Sequence, residues 1–178
     1  MLLVEHDPVI TLGRSRASRS NVLLAGDIPV VQVERGGDAT WHGPGQLVGY
    51  PILRLDPTER DVHAILRNLE DAMIATLVAV GLPGERRAGF TGVWCRGKKL
   101  VSIGVAVHGW VTFHGFAVNV DPDLQGFARL NPCGLEAGVM GSVASLGGEV
   151  ESAPWLKHRV AVEVARAFGR RLVADATT

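Results

Sequence analysis

Residues 100–120 read LVSIGVAVHGWVTFHGFAVNV, and this stretch contains two runs rich in Val, Ile, Phe and Thr. Because β-branched and aromatic residues favour strands, the runs 100–107 and 110–120 are predicted to be β-strands. His108-Gly109 between them predicts a hairpin turn, although this pair is a weaker turn signal than Asn-Gly. The stretch therefore indicates an antiparallel hairpin.

Two helices and several shorter strands are predicted around this hairpin. Apolar residues recur at helical spacing from Asp61 to Val80, and Gly81 follows as a natural C-terminal stop. Ser152 to Phe168 predicts a second helix, with Ser152 as its cap. Shorter strands are predicted at 2–5, 9–12, 30–34, 46–55 and 93–95. Strands interspersed with two helices indicate an α/β or α+β fold with a mixed sheet.

Size and composition limit the classes of protein that fit. The chain has 178 residues, which favours a single domain over residues 1–178. Eighteen basic residues balance eighteen acidic ones, which gives no support to nucleic-acid or membrane-surface binding. No apolar run is long enough to span a membrane, and the first residues lack a signal-peptide pattern. Two cysteines do not make a disulfide scaffold, so we expect a cytoplasmic protein.

A glycine-rich stretch at residues 34–46, ERGGDATWHGPGQ, encloses one tryptophan and one histidine. Glycines would let the backbone approach a ligand closely, with Trp41 and His42 beside it. Alternatively, the tryptophan only fills the core. These residues alone leave both interpretations open.

A cysteine and a lysine pair are candidates for chemistry. Cys133 lies between Pro132 and Gly134, a context that favours a turn with the sulfur facing a ligand. The alternative is a small buried side chain, and this is the stronger interpretation for Cys95 in its predicted strand. Lys98 and Lys99 could both be solvated charges at the start of a strand. Alternatively, one of the two is partly buried and therefore suited to proton transfer.

Other kinds of site find little support. His42, His114 and Cys133 could form a zinc site, but no close-spaced ligand pair supports it, so we predict no metal. The chain lacks a phosphate-binding glycine loop, a GxGxxG fingerprint and a GxSxG elbow. Nothing in the sequence therefore predicts an ATP or dinucleotide cofactor.

Four motifs, in order along the chain, together resemble the lipoyl(octanoyl) transferase family. They are RGGDATWHGPGQ at 35–46, GKKLVSIG at 97–104, FHGFAVN at 113–119 and NPCG at 131–134. The match runs from Leu2 to the last helix. The resemblance implies the fold of biotin protein ligases and lipoate ligases, in which helices flank a mixed β-sheet.

The resemblance also implies an activity. The family moves an octanoyl group from acyl carrier protein to a lysine on lipoyl domains of the 2-oxoacid dehydrogenase complexes and the glycine cleavage H protein. By resemblance, Cys133 carries the acyl-thioester intermediate and Lys99 assists it, without a cofactor. The substrate site would be lined by Arg35, Gly36, Gly37, Asp38, Ala39, Thr40, Trp41 and His42, by Ser102, Ile103 and Gly104, and by Gly115, Phe116 and Ala117.

Two further expectations concern side-chain direction. Neighbouring residues of a strand point to opposite faces, so only one of Lys98 and Lys99 faces the site, and the family register selects Lys99. Trp41 and Leu100 are expected beside an apolar tunnel for a medium-length acyl chain.

Two other functions fit the same sequence features. An ATP-dependent lipoate or biotin ligase would share the fold, and a non-catalytic module could bind lipoyl domains or carrier protein.

The chain departs from the family pattern at its start. The family usually has a helix and strand region before the segment that matches residues 2–13. We therefore expect this chain to be short at its N-terminus.

Overall fold

The computed structural model describes residues 1–131 and 137–173, which form two β-sheets and two α-helices. The strands are β1 (Leu2–Val4), β2 (Val9–Leu12), β3 (Val30–Gln32), β4 (Thr40–His42), β5 (Gln46–Tyr50), β6 (Glu85–Arg87), β7 (Phe90–Cys95), β8 (Lys98–His108) and β9 (Val111–Asn119). The helices are α1 (Val62–Ala79) and α2 (Ala153–Ala167), and short 3₁₀ turns lie at Pro57–Glu59, Leu124–Arg129, Ala137–Val139 and Ala144–Leu146.

The larger sheet has the strand order β1-β5-β9-β8-β7-β6, and all its neighbouring strands are antiparallel. The smaller sheet has the order β3-β2-β4, in which β2 is parallel to β3 and antiparallel to β4. Side chains of α1 and α2 share one apolar core with the larger sheet. A second core lies between the smaller sheet and the turn Leu124–Arg129. The predicted combination of sheet and flanking helices is confirmed.

The predicted helices are confirmed to within a residue at each end. The Asp61 side chain caps α1 by accepting from the backbone N–H groups of His63 and Ala64. The Ser152 side chain caps α2 in the same way by accepting from the N–H of Trp155. These local caps are why the helix boundaries were readable from sequence.

The predicted hairpin forms from β8 and β9, but its turn lies one residue later than expected. His108 pairs with Val111, so the turn residues are Gly109 and Trp110, with φ angles of 54° and 59°. Two positive φ angles are the geometry of the tight two-residue hairpin turn. The predicted strand 46–55 is also too long, because Pro51 has no N–H to continue the β5 ladder.

Candidate functional site

A cavity is lined by residues of both sheets and of the glycine-rich loop, and its empty space is about 680 Å³ when the part open to solvent is included. The predicted residues that line it are Arg35, Gly37, Asp38, Thr40, His42, Lys99, Ser102, Ile103, Gly104, Gly115, Phe116 and Ala117. Three separate sequence motifs therefore meet at one site. The lining residues that sequence reasoning missed are Thr11, Val33, Val48 and Tyr50, and His114, considered above only as a zinc ligand, lines the cavity as well.

The glycine-rich loop lies directly across β8. The backbone N–H of Gly36 donates to the carbonyl of Val105 at 2.8 Å. A Cβ on Gly104 would lie 2.9 Å from the carbonyl oxygen of Gly36, so this approach requires glycine in β8. Gly36 itself borders an adjoining cavity of about 940 Å³, which Lys99 also lines.

Trp41 was predicted to wall an acyl tunnel, but it does not line the main cavity. Its neighbours Thr40 and His42 face the cavity, and alternation along β4 turns Trp41 to the other side. There its ring centroid lies 5.3 Å from that of Phe127, and only 4% of the residue is exposed. A Cβ on Gly126 would lie 2.3 Å from the Trp41 ring. The tryptophan therefore fills the second core.

Two other expected lining residues are also buried in the cores. Ala39 belongs to the same core as Trp41 and is fully buried. Leu100, which was predicted to lie beside an acyl tunnel, is fully buried in the core shared with the helices. Cys95 is buried in that core too, as its strand context predicted.

Lys98 and Lys99 have opposite environments, as alternation predicted. Lys98 is exposed, and its Nζ donates to the carbonyl of Gly138 at 2.6 Å. Lys99 is only 3% exposed and lines both cavities. Its Nζ lies 5.0 Å from the centre of the Trp94 ring, within the range of a cation–π contact.

A buried carboxylate on α1 supports the backbone next to Lys99. Glu70 is 2% exposed and accepts from the backbone N–H of Gly92 at 3.1 Å. A Cβ on Gly92 would lie 2.9 Å from Cε of Lys99, so the lysine stem crosses this glycine. Arg86 and Arg67 form ion pairs with the same carboxylate at 2.9 and 2.7 Å. The sequence signal was an acidic residue on the apolar face of a helix.

His42 is held in one tautomer by a chain of amide side chains. Its Nδ1 lies 2.6 Å from Oε1 of Gln46, whose Nε2 donates to Oδ1 of Asn119 at 2.9 Å. Because the Gln46 oxygen must accept, we assign the proton to Nδ1 of His42 and leave Nε2 as an acceptor. Burial lowers the pKa of His42 to about 4, so the ring is neutral at pH 7.

Three further polar aromatic residues, His6, Tyr50 and His114, lie in sequence of contact from His42, and the last two line the cavity. His6 Nε2 and the Tyr50 hydroxyl lie 2.7 Å apart, and the Tyr50 ring meets His114 edge-on. Burial raises the pKa of Tyr50, while burial and the Arg35 guanidinium lower the pKa of His114. Arg35 also donates to the backbone and hydroxyl oxygens of Thr11, at 2.8 and 2.9 Å.

Cys133 lies outside the described residues, but the chain is hydrogen-bonded to other parts of the fold both at Asn131 and after residue 137. The N–H of Asn131 donates to the carbonyl of Asn21 at 2.8 Å. After the motif, Met140 bridges Lys99, and the N–H of Gly141 donates to the Lys99 carbonyl at 3.0 Å.

Neither a metal centre nor a membrane span is found in the described part of the chain. Across residues 1–131 and 137–173, no three His, Cys, Asp or Glu side chains are grouped to hold a metal ion. None of the helices in these ranges is both long enough and apolar enough to cross a membrane.

Comparison with known proteins places the chain in a family. Residues 1–165 match the model of the lipoyl protein ligase A/B catalytic domain. The octanoyltransferase of Gloeobacter violaceus is 48% identical over 171 residues, covering 95% of this chain and 75% of the relative. The octanoyltransferase of Syntrophotalea carbinolica is 49% identical over 160 residues, covering 90% of this chain and 75% of the relative.

Solved structures show the same fold at low sequence identity. A bipartite lipoate protein ligase of Thermoplasma acidophilum matches with a TM-score of 0.78 at 17% identity, covering 99% of this chain and 73% of that one. The biotin protein ligase of Aquifex aeolicus matches with a TM-score of 0.53 at 13% identity, covering 93% and 70%. These two matches bear on the fold alone. On the family model and the close relatives, the chain belongs to the octanoyltransferase family of the lipoyl protein ligase A/B catalytic domain.

Proposed function

We propose that this acyltransferase moves an octanoyl group from octanoyl-acyl carrier protein to a specific lysine of a lipoyl domain. The acyl group would travel as a thioester on Cys133, with Lys99 as the proton carrier. The acceptors would be lipoyl domains of 2-oxoacid dehydrogenase complexes and the glycine cleavage H protein, in the cytoplasm. The observation that carries the proposal is the buried Lys99 on the wall of a cavity built from the family motifs.

The cavity lining suits an acyl chain next to a polar thioester. Its apolar part includes Val33, Val48, Ile103, Phe116 and Ala117. Burial of a methylene group is worth about 0.8 kcal/mol, so an eight-carbon chain gains several kcal/mol from such surroundings. The neutral His42 ring and the Ser102 hydroxyl place polar groups on the same wall.

In the first half-reaction, the thiolate of Cys133 attacks the carbonyl carbon of the octanoyl thioester. A new carbon–sulfur bond forms to Cys133, and the bond to the pantetheine sulfur breaks. The Lys99 ammonium gives its proton to the departing sulfur, which leaves as a thiol. An ordinary thiol with a pKa near 8.5 is only about 3% thiolate at pH 7, so a nearby ammonium also favours the reactive form.

In the second half-reaction, the neutral amine of the acceptor lysine attacks the Cys133 thioester. The carbon–nitrogen bond forms as the carbon–sulfur bond breaks, and Cys133 departs as a thiolate. Lys99, left neutral by the first step, takes the proton from the attacking nitrogen and returns to its ammonium form. The product is an amide, and no nucleotide is consumed because the starting thioester is already activated.

The test is an adduct assay with the acceptor withheld. After mixing with octanoyl-acyl carrier protein, intact-mass spectrometry should show one octanoyl group on the enzyme, and peptide mapping should place it on Cys133. Addition of an unmodified lipoyl domain should move the group to the acceptor lysine. Cys95→Ser is the matched control, because this buried thiol is part of the core.

Two results would contradict the proposal. An adduct on Cys95, or none at all with the acceptor withheld, would remove Cys133 from the mechanism. Modification of the lipoyl domain by Cys133→Ala with free octanoate and ATP would indicate a ligase, since an adenylate mechanism needs no cysteine.

A further inference from the structure

The loop from Gly13 to Ser20 carries a local positive charge on a chain whose formal net charge is zero. Arg14, Arg16 and Arg19 are all exposed, and no acidic residue occurs between Asp7 and Asp27. The whole chain has a formal net charge of zero. The three arginines therefore form a distinct basic surface, called here the arginine loop.

The arginine loop is tied to the glycine-rich loop of the cavity by backbone hydrogen bonds. The N–H of Arg14 donates to the carbonyl of Arg35, and the N–H of Ser15 donates to the carbonyl of Gly37, each at 3.0 Å. The loop is also closed on itself, since the buried Ser18 hydroxyl donates to the Gly13 carbonyl at 3.1 Å. The arginines are thus held at a set position relative to the site.

This position is the rim of the active-site region. Ser15 borders the adjoining cavity together with Gly37, Gly104 and Lys99. A molecule that contacts the arginine loop can therefore extend a flexible arm along the glycine-rich loop towards Lys99.

The three guanidinium groups are available to a partner. None of them takes part in an ion pair within residues 1–131 and 137–173. The acidic residues of the glycine-rich loop are Glu34 and Asp38. The Asp38 carboxylate is engaged with the side-chain amide of Asn21 and the N–H of Ala39. Within residues 1–131 and 137–173, no ion pair therefore neutralises the charge on the loop.

We propose that the arginine loop is the docking surface for the acidic face of the acyl carrier protein that delivers the octanoyl group. This inference rests on the proposed function. Guanidinium groups favour carboxylate partners through paired hydrogen bonds, and exposed charges at an interface act mainly on encounter rate and specificity. A docked carrier protein would present its thioester arm at the cavity that Lys99 lines.

Other anionic partners fit the loop less well. Membrane-surface recognition generally uses clusters of about 4–8 basic residues, more than this loop has. Nucleic-acid binding generally accompanies a strongly basic domain, whereas this chain is neutral. The donor, by contrast, must bring its thioester to a cavity that Lys99 lines in every catalytic cycle of the proposed function, and Ser15 of the loop borders one of these cavities.

The experiment compares the triple variant R14Q/R16Q/R19Q with wild type on three donors. These are octanoyl-acyl carrier protein, octanoyl-phosphopantetheine and octanoyl-pantetheine. The KM for octanoyl-acyl carrier protein should rise roughly tenfold with kcat little changed, and its salt dependence should flatten. The KM for both small donors and for the lipoyl domain should stay at the wild-type value, which also shows that the variant is folded.

A matched control removes three positive charges elsewhere. Arg54, Lys157 and Arg171 are exposed, line neither of the two cavities and form no ion pair in the described part of the chain. R54Q/K157Q/R171Q should therefore keep the wild-type KM for octanoyl-acyl carrier protein. An equal KM increase in the control would show an effect of net charge and overturn the proposal.

The remaining outcomes also decide the question. An unchanged KM for the carrier-protein donor in R14Q/R16Q/R19Q overturns the docking surface. An equal rise in the KM for octanoyl-phosphopantetheine would show that the loop binds the phosphate of the donor's arm instead. A rise in the KM for the lipoyl domain alone would show that the loop binds the acceptor. If wild type transfers octanoyl from none of the donors, the proposed function fails. Direct binding of fluorescent octanoyl-acyl carrier protein to wild type and variant then tests the docking surface separately.

Discussion

Lys99 and Lys98 offer a sharp test of the proposed chemistry, because neighbours in sequence have opposite environments. Lys99 is 3% exposed beside the Trp94 ring, whereas Lys98 is exposed and donates to Gly138. Methionine is an unbranched, flexible replacement that keeps the apolar contacts of the lysine stem but has no proton to exchange. Lys99→Met and Lys98→Met therefore separate the proton transfer from the packing of the strand.

The two changes should differ in rate far more than in stability. General acid–base catalysis is worth roughly 10²–10⁴-fold, so Lys99→Met should slow both half-reactions by about that factor. The cation–π contact between Lys99 and the Trp94 ring is worth about 0.5–2 kcal/mol, and the cost of burying the ammonium opposes it. The free energy of unfolding should therefore change by less than about 2 kcal/mol in Lys99→Met. Lys98→Met loses one exposed hydrogen bond, worth about 1 kcal/mol, and should turn over normally.

Lys99→Arg refines this comparison. A guanidinium keeps the positive charge that favours a thiolate, but it does not release its proton to act as a base. Acylation should therefore be retained in part, while transfer to the acceptor lysine should be lost.

The assay is single-turnover mass spectrometry of the enzyme and the lipoyl domain, with urea unfolding of each variant. Alkylation of Cys133 by iodoacetamide at pH 7 should also slow in Lys99→Met. Equal rates of turnover and alkylation in Lys98→Met and Lys99→Met would refute the assignment of Lys99. A large loss of stability in Lys99→Met alone would instead show that its role is structural.

Three further changes test other parts of the site. Burial lowers the pKa of His42 to about 4, against 6.5 in the unfolded chain, so the unfolded state takes up the proton at a higher pH than the folded state. The free energy of unfolding should therefore fall as the pH drops from about 6.5 to 4, by at most about 3 kcal/mol. Urea titrations at pH 7 and 4.5 should show a weaker pH dependence in His42→Gln than in wild type. Trp41→Ala should lower the free energy of unfolding by about 3–5 kcal/mol because it empties the space beside Phe127. The acyl chain-length preference should stay unchanged. A shifted preference at normal stability would instead show that Trp41 contacts the acyl chain. Glu70→Gln removes the charge partner of Arg86, whose side chain is one-third exposed. Urea unfolding should show that the free energy of unfolding falls by about 2–3 kcal/mol. An unchanged free energy of unfolding would mean that the ion pair is energetically neutral.

Sequence alone determined the elements whose signals are local. The helix from Asp61 and the helix from Ser152 were readable because periodic apolar residues and a capping side chain act within a few positions of each other. The hairpin of residues 100–120 was readable because its strands are joined by a short turn. The opposite faces of Lys98 and Lys99 followed from strand alternation, which is also a property of neighbouring residues.

Much of the site was also accessible from sequence, through the resemblance of motifs. Segments around Arg35, Ser102 and Gly115 were expected at one site, and residues of all three line one cavity. Tyr50 was missed because it has no local signal. It reaches the site as part of β5, whose neighbours β9 and β1 come from distant parts of the chain.

Only the tertiary structure decided which face of β4 meets the cavity. Alternation along β4 places Trp41 on the opposite face from Thr40 and His42. The sequence pattern is the same whether Trp41 or its two neighbours face the cavity. The choice depends on Phe127 and Gly126, which leave a space shaped for the tryptophan ring on one side of the small sheet. The position of Glu70 has the same origin, because the Gly92 backbone and Arg86 that stabilise a buried carboxylate come from distant strands. Contacts between residues far apart in sequence have no local pattern, so the fold must form before they can be recognised.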